Sequence, residues 1–373
     1  MKPSLCSRVG ALSVLLAALP ALAIAQTLAN PDVSAIGDFR VVGRSDAFAD
    51  AVAAQPVQFE FQELEFTLNG YLNPYMRADV TVAMPDFEAV DLEEAFMTVL
   101  RGLPLSSQLR AGKYFLDFGK LNTQHPHQWP WMEPPLMMRT MLGEEGVRPI
   151  GAQISTLQAV GESAVVLSLN AFRGDGFAHA HGEEEAEEAH EHEEESPPET
   201  MFSGRLSWSR TFDVTTVEAG LSALGGRYDP AEALDVTMGA FDFKLRWRPD
   251  TYRSVNVIAE SMRSEREVAH EDTTAAEGFK VETVGATGAF GALQVQFRKR
   301  WDTGAFIDFT KDAVEEGMKT TAGGAWFAFM PAEETARFNL VYRYETSDHV
   351  DYDSHGVSLQ FLFGLGPHRP HRF

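Results

Sequence analysis

A period of two narrows the fold of this chain more than any other feature. Phe241, Phe243, Leu245 and Trp247 alternate with Asp242, Lys244, Arg246 and Arg248, and Leu293, Val295 and Phe297 alternate with Gln294, Gln296 and Arg298. The same holds for Phe338, Leu340, Tyr342 and Tyr344 against Arg337, Asn339, Arg343 and Glu345, and for Val357, Leu359, Phe361 and Phe363 against Ser358 and Gln360. Successive side chains of a strand point to opposite faces, so each segment is a strand with one face toward hydrocarbon and the other toward water. Less regular segments of this kind run at residues 33–43, 57–72, 74–84, 89–101, 104–116, 148–158, 163–173, 201–212, 214–225, 252–264, 279–290 and 319–329. Together they predict about sixteen strands, an even number within the range of bacterial outer-membrane barrels.

The amino terminus is consistent with export. Lys2 and Arg8 open a short basic segment, Ala11 to Ala25 is almost wholly apolar but too short to cross a bilayer as a helix, and Ala23-Ile24-Ala25 offers small residues for cleavage ahead of Gln26. Residues 1–25 therefore read as a signal peptide and residues 26–373 as the barrel. The single cysteine, Cys6, falls in the leader, so the exported chain has no disulfide, thiol nucleophile or thiolate metal site. No later stretch has eighteen consecutive apolar residues, so no transmembrane helix is expected. The formal charge of −23 falls to −25 once Lys2 and Arg8 are removed, which excludes nucleic acid as a partner.

The joins between strands divide by length. Tight joins are expected at Asn73, Gly102-Leu103, Val160 to Glu162, Asp213, Pro249-Asp250, Gly291 and Pro331 to Glu334. The remaining connections, at 44–56, 85–88, 117–147, 174–200, 226–233, 265–278, 304–318 and 347–354, are mostly long and hold 33 acids against 6 bases. This predicts an all-β transmembrane antiparallel β-barrel with short periplasmic turns, long acidic extracellular loops and no plug domain, because strand patterning starts soon after Gln26. Tyr71, Tyr75, Phe212, Trp247, Tyr252, Phe290 and Phe329 near the short turns would form an aromatic girdle. The expected partners are outer-membrane lipid and lipopolysaccharide, small solutes, divalent metal ions and the barrel assembly machinery, which reads a terminal aromatic such as Phe373. The pattern is silent on oligomeric state.

Three histidine-bearing segments are candidate metal sites. Residues 174–199 hold eleven acids, four histidines and no base, and are predicted to be a disordered His/Glu-rich extracellular loop. His179 with His181, and His190 with His192, can each present two imidazoles beside carboxylates, a donor set for weakly held zinc, copper or nickel. The alternative is a solvated acidic tether. In the long loop 117–147, expected to fold into the lumen, His125-Pro126-His127 either faces a permeating ion or belongs to a rigid packed plug. His349, Asp351 and His355, with Asp348 and Asp353, form a third cluster in the last outer loop.

Among the charged residues assigned to the lumen, Arg205, Lys244, Arg246, Arg298, Arg337 and Arg343 would line the pore opposite Glu260 and Glu345. Arg77, Glu60, Glu65, Asp79, Glu93 and Glu218 are further members of the same two rows. Facing rows of opposite charge give a hydrated, weakly selective path, or they pair across a closed barrel. No catalytic motif is present, so the chain does not read as an enzyme. No cofactor is required beyond weakly loop-bound Zn2+.

Several stretches carry a family resemblance. Residues 30–39, Leu72-Asn73-Pro74-Tyr75, residues 112–122 with His125-Pro126-His127, and Gly143-Glu144-Glu145-Gly146-Val147 resemble the porin-like barrels often labelled zinc-regulated, TonB-dependent outer-membrane receptors. They are more distantly similar to phosphate-selective porins. The most specific stretch is 112–151. The resemblance implies a Gram-negative outer-membrane barrel with a His/Glu-rich loop and a role in divalent-metal supply. The absence of room for a plug runs against TonB coupling.

Three functions follow as alternatives. The first is a passive porin-like channel linked to zinc capture or uptake through acidic, His-rich external loops. The second is a general or anion-preferring porin with no metal role. The third is a closed barrel that binds metal or adheres at the cell surface.

Overall fold

The computed structural model describes residues 31–45, 57–87, 89–174, 199–229, 233–271, 279–311, 318–332, 335–348 and 352–366. Sixteen strands close into one antiparallel barrel, each paired with its sequence neighbours and β1 with β16. They are β1 (Asp32–Arg44), β2 (Gln58–Asn73), β3 (Met76–Met84), β4 (Asp91–Val99), β5 (Ser107–Lys113), β6 (Ile150–Val160), β7 (Ser163–Arg173) and β8 (Thr200–Phe212). The second half comprises β9 (Thr215–Asp229), β10 (Leu234–Asp250), β11 (Arg253–Glu271), β12 (Phe279–Arg298), β13 (Trp301–Lys311), β14 (Lys319–Phe329), β15 (Ala336–Ser347) and β16 (Tyr352–Leu365). Closure leaves no unpaired sheet edge, which a strand protein in lipid requires. Residues 1–25, expected to be a signal peptide, most of the segment 174–199 and the carboxy-terminal tail with Phe373 lie outside the described residues.

The outward positions carry the apolar half of the alternation. Leu206, Leu221, Phe241, Leu293, Phe327, Leu340 and Leu359 are exposed, and Ile307 reaches 73%. Asp242, Lys244, Glu260, Asp302, Asp308 and Gln360 point inward and are buried. Local polar chemistry fixes the tight joins: Asn73 Oδ1 accepts from Tyr75 N (2.8 Å), and Asp250 Oδ1 accepts from Tyr252 N (2.8 Å) and Arg253 N (2.9 Å). Asp213 adopts φ 53° between β8 and β9.

One join departs from the sequence expectation. β12 runs unbroken through Gly291, which pairs with Ala259 on one side and Ile307 on the other. The turn falls instead at Lys299-Arg300, and β13 occupies much of the segment expected as the 304–318 loop. Phe290 consequently leaves the predicted girdle and lies buried in the lumen, whereas Tyr71, Tyr75, Phe212, Trp247 and Tyr252 stay exposed near the short turns.

The segment between β5 and β6, residues 114–149, folds into the barrel. Its ends are zipped together by Tyr114 N→Pro149 O (3.3 Å) and Leu116 N→Val147 O (3.0 Å), and Asn122 braces both ends through Leu116 O (2.8 Å) and Val147 N (3.0 Å). One short helix, α1 (Leu136–Leu142), follows Pro134-Pro135, whose fixed φ suits a helix start, and ends at Gly143 with φ 88°. Leu121, Trp129, Trp131, Met137, Met138, Met141 and Leu142 are buried against Met238, Met262, Phe290, Phe306 and Trp326 of the wall. Each such side chain contributes about 1.5–3 kcal/mol when taken from water. The lumen is therefore not a uniformly hydrated tube: an apolar loop meets an apolar patch on β10–β14.

Candidate functional site: a histidine-carboxylate cluster in the lumen

Two elements build the site. On the loop, Pro126 starts a 3-10 turn (Pro126–Gln128), and the residues flanking it, His125 and His127, stack their rings at 5.5 Å and 22°. Facing them, β2 and β4 each contain an irregularity that breaks the period of two. In the β1–β2 ladder Asp38 pairs with Glu63 and Phe39 with Phe61, so Gln62 is bulged out. In the β3–β4 ladder Thr81 pairs with Glu94 and Val82 with Leu92, so Glu93 is bulged. A bulge shifts the facing of every residue beyond it and re-aims side chains. The result is that Glu63 and Glu65 point inward from β2, and the adjacent Glu93 and Glu94 are both buried on β4.

His125 Nδ1 lies 3.0 Å from Glu65 Oε2 and 3.2 Å from Glu93 Oε2, and its Nε2 lies 3.5 Å from Glu94 Oε2. His127 Nδ1 lies 3.4 Å from Glu65 Oε2 and 3.6 Å from Glu63 Oε1. Two triads with metal-ligand character result, Glu65-Glu93-His125 and Glu63-Glu65-His127. Burial alone would pull the imidazolium of His125 down, but the charge of Glu65 and contacts with Glu65, Glu93 and Glu94 outweigh it and raise its pKa well above the usual histidine value. The same opposition, with Glu65 and Glu63 as partners, raises that of His127. Rings so placed are cations among carboxylates when protonated and offer free ring nitrogens when they are not. Arg148 closes one side, with Nη1 2.9 Å from Glu93 Oε1 and from Asp91 Oδ2, and it also pairs with Glu145.

Two cavities flank the loop. One, of about 400 Å³, opens toward the short turns and is lined by Lys244, Arg246, Arg248, Lys299 and Arg337 with Asp302, and by His127 and Trp131 of the loop. The other, of about 320 Å³, opens toward the long loops and includes Arg40, Arg44, Arg139 and Arg343 among Glu60, Glu63, Glu93, Glu133, Glu144, Glu145 and Glu345. The cluster has a member on each, so it sits in the partition between them.

The pore-lining residues expected from sequence divide between these roles. Lys244, Arg246 and Arg337 line the basic cavity, and Arg343 and Glu345 line the other, paired at 2.7 Å. Arg205 is bound to Asp242 (2.6 Å) and Asp117 (3.3 Å). Glu260 Oε2 accepts the backbone N–H groups of Lys120 (2.9 Å) and Leu121 (3.0 Å), holding the loop rather than facing an open path. Arg298 is exposed at the short-turn rim, outside both cavities. Several charges of the expected facing rows therefore pair locally or anchor the loop.

Of the metal candidates, His125 and His127 come together with carboxylates. His355 lies exposed near the long-loop rim, 2.8 Å from Tyr342 Oη and outside both triads. His179, His181, His190, His192, His349 and Asp351 lie outside the described residues. Sequence reasoning placed Glu65 and Glu93 in the lumen but missed Glu63 and Glu94. Their signal was a slip of one in the alternation at Gln62-Glu63 and at Glu93-Glu94.

Comparison with known proteins gives the fold a context. No family model matches the chain. A protein of Aquifex aeolicus described only as uncharacterized is 30% identical over 214 residues, 52% of this chain and 44% of that protein; the match thus spans less than half the relative's length. Among solved structures, OprB of Pseudomonas putida superposes with a TM-score of 0.57 at 9% identity, covering 90% of this chain and 94% of that one. An anion-selective porin of Comamonas acidovorans (0.56, 8%, 90% and 100%) and Salmonella typhi OmpF in complex with daunomycin (0.55, 12%, 90% and 98%) are similar in the same way. The chain has the closed sixteen-strand fold of the outer-membrane porins.

Proposed function

We propose that the chain is a Gram-negative outer-membrane channel for the passive passage of small solutes, with a divalent-metal site in its lumen. The observation that carries this reading is the position of the His125/His127–Glu63/Glu65/Glu93 cluster between the two cavities, so that an ion moving between them meets imidazole and carboxylate donors. Such donors suit zinc and its first-row neighbours. The extracellular loops, acidic in sequence, would raise the local cation concentration at the mouth, and the histidines of 174–199 would add weak capture. The resemblance to zinc-regulated receptors supports the reading, since it is strongest at 112–151, the segment that carries both histidines.

An anion-preferring porin is a second reading, favoured by the periplasmic-side cavity, where five basic residues accompany Asp302. Planar-bilayer conductance of the refolded, leader-free chain distinguishes the two. Steady conductance that micromolar zinc lowers, with the effect lost in His125→Ala/His127→Ala, supports the metal-linked channel. Zinc-indifferent conductance with chloride preference favours the second reading. Absence of conductance overturns both and leaves a closed surface barrel.

A further inference from the structure

The donor atoms of the lumen cluster form two triads around one shared atom. We propose that the site binds two divalent first-row metal ions bridged by Glu65 Oε2, one completed by Glu93 and His125 and the other by Glu63 and His127. The inference rests on the metal reading above and adds its stoichiometry and its bridge.

Spacing is the first argument. Metal–ligand bonds of about 2.0–2.2 Å place neighbouring donors of an octahedral or tetrahedral shell about 2.8–3.6 Å apart. The distances from His125 Nδ1 to Glu65 and Glu93, 3.0 and 3.2 Å, and from His127 Nδ1 to Glu65 and Glu63, 3.4 and 3.6 Å, match those edges. Both sets converge on the same oxygen, and the donors fall into two groups rather than one shell.

Orientation is the second. Glu63 Oε1, Glu65 Oε2, Glu93 Oε2 and His125 Nδ1 are buried and make no hydrogen bond of acceptable geometry. The other oxygens of the two strand carboxylates are held from behind: Thr67 Oγ1 donates to Glu65 Oε1 (3.1 Å) and Arg148 Nη1 to Glu93 Oε1 (2.9 Å). His125 Nε2 faces Glu94 at 3.5 Å, the carboxylate-imidazole arrangement that leaves the opposite nitrogen for a metal. Glu65 and Glu93 thus each keep one oxygen fixed and the other aimed at the cluster.

Charge is the third. Glu63, Glu65, Glu93 and Glu94 place four carboxyl groups in buried positions, while Arg148 is shared with Asp91 and Glu145. Metal ions held there would supply the positive charge that so acidic a buried site lacks, and four carboxyl groups are enough to balance two divalent ions. An uncompensated buried charge is the arrangement proteins avoid.

Metal content tests this in the full leader-free chain, refolded, equilibrated with Zn2+, washed and measured by plasma mass spectrometry. Differences between variants cancel whatever the outer loops hold. Glu65→Gln is expected to lose two zinc ions per chain relative to wild type, and Glu63→Gln and Glu93→Gln one each. Mn2+-loaded wild type is expected to give an exchange-coupled spin-resonance spectrum, with ions about 3.5–4 Å apart, that Glu93→Gln reduces to isolated Mn2+. A loss of one ion in Glu65→Gln, with no exchange coupling, overturns the bridged pair and leaves the metal reading standing. No loss in any variant overturns both. Circular dichroism of each barrel confirms folding, and if Glu65→Gln fails to fold, the single losses in Glu63→Gln and Glu93→Gln carry the test.

Discussion

Replacing Glu260 by alanine strips the loop of the acceptor that fixes its entry into the barrel. Glu260 Oε2 receives the backbone N–H groups of Lys120 and Leu121, and the carboxylate is buried. Removing that acceptor leaves two buried N–H groups without a partner, at about 1–3 kcal/mol each. Removing a buried carboxyl group that lies near Asp242 returns part of its desolvation cost, so the net penalty is taken as about 3 kcal/mol. At about 1.4 kcal/mol per tenfold, the displaced-loop population rises about 100-fold. The ladders of β11 to β10 and β12 are untouched, so the barrel itself stays closed, while Gly119 N→Ser222 Oγ (3.1 Å) and the Lys120–Glu218 ion pair still tether the loop. Limited trypsin digestion of the folded protein reads the change at the Lys120-Leu121 bond, because cleavage tracks the open population when opening is fast. Bilayer recordings should show brief openings to a higher level at correspondingly greater frequency. A cleavage rate within about threefold of wild type, with unchanged recordings, refutes the account of Glu260 as an anchor, since about 3 kcal/mol cannot vanish from a two-state loop.

Other perturbations test other parts of the architecture. Asn122→Ala removes the brace between the loop ends and strands the buried Val147 N–H, and amide exchange at Val147 should quicken by a factor corresponding to about 2–4 kcal/mol. Ile307→Arg places a charge on the lipid-facing wall and should lower the stability of the refolded barrel by about 2–4 kcal/mol in urea titrations, as expected near the bilayer midplane. Lys244→Glu with Arg246→Glu inverts part of the basic cavity, and the reversal potential in a salt gradient should move toward cation preference.

The barrel was legible because water and hydrocarbon impose a strict parity wherever a strand separates them, as along Phe241–Trp247 and Val357–Phe363. It was illegible where that condition fails. Phe290, Phe306 and Trp326 face inward toward an apolar loop, so their strands lost the polar half of the code, and the small residues around Gly291 read as a turn. The expectation of a lumen-folded loop rested on its length and on the habit of porins of folding such a loop inward, while its aromatic and proline content suggested a packed plug; residues 114–149 lie inside the barrel, a few residues more than the 117–147 read from sequence. The histidine pair stood out by composition, yet its carboxylate partners lie far away in sequence and reach it only through strand pairing. Adjacent inward-facing glutamates at 93 and 94 contradict simple alternation, and that contradiction was the available clue.

The two bulges turn the chemistry of this wall into a question of counting. In a sheet whose faces alternate, one extra residue exchanges inside for outside in all that follows, up to the next turn or compensating bulge. Deleting Gln62 would let Phe61 and Glu63 follow each other in simple alternation, with Glu63 still inward opposite Asp38, whereas deleting Glu93 would leave only one carboxylate where two now stand. For a barrel of this kind, gain or loss of a lumen site is therefore open to single-codon insertions and deletions, a route closed to helical scaffolds, where the same change rotates a face by only part of a turn.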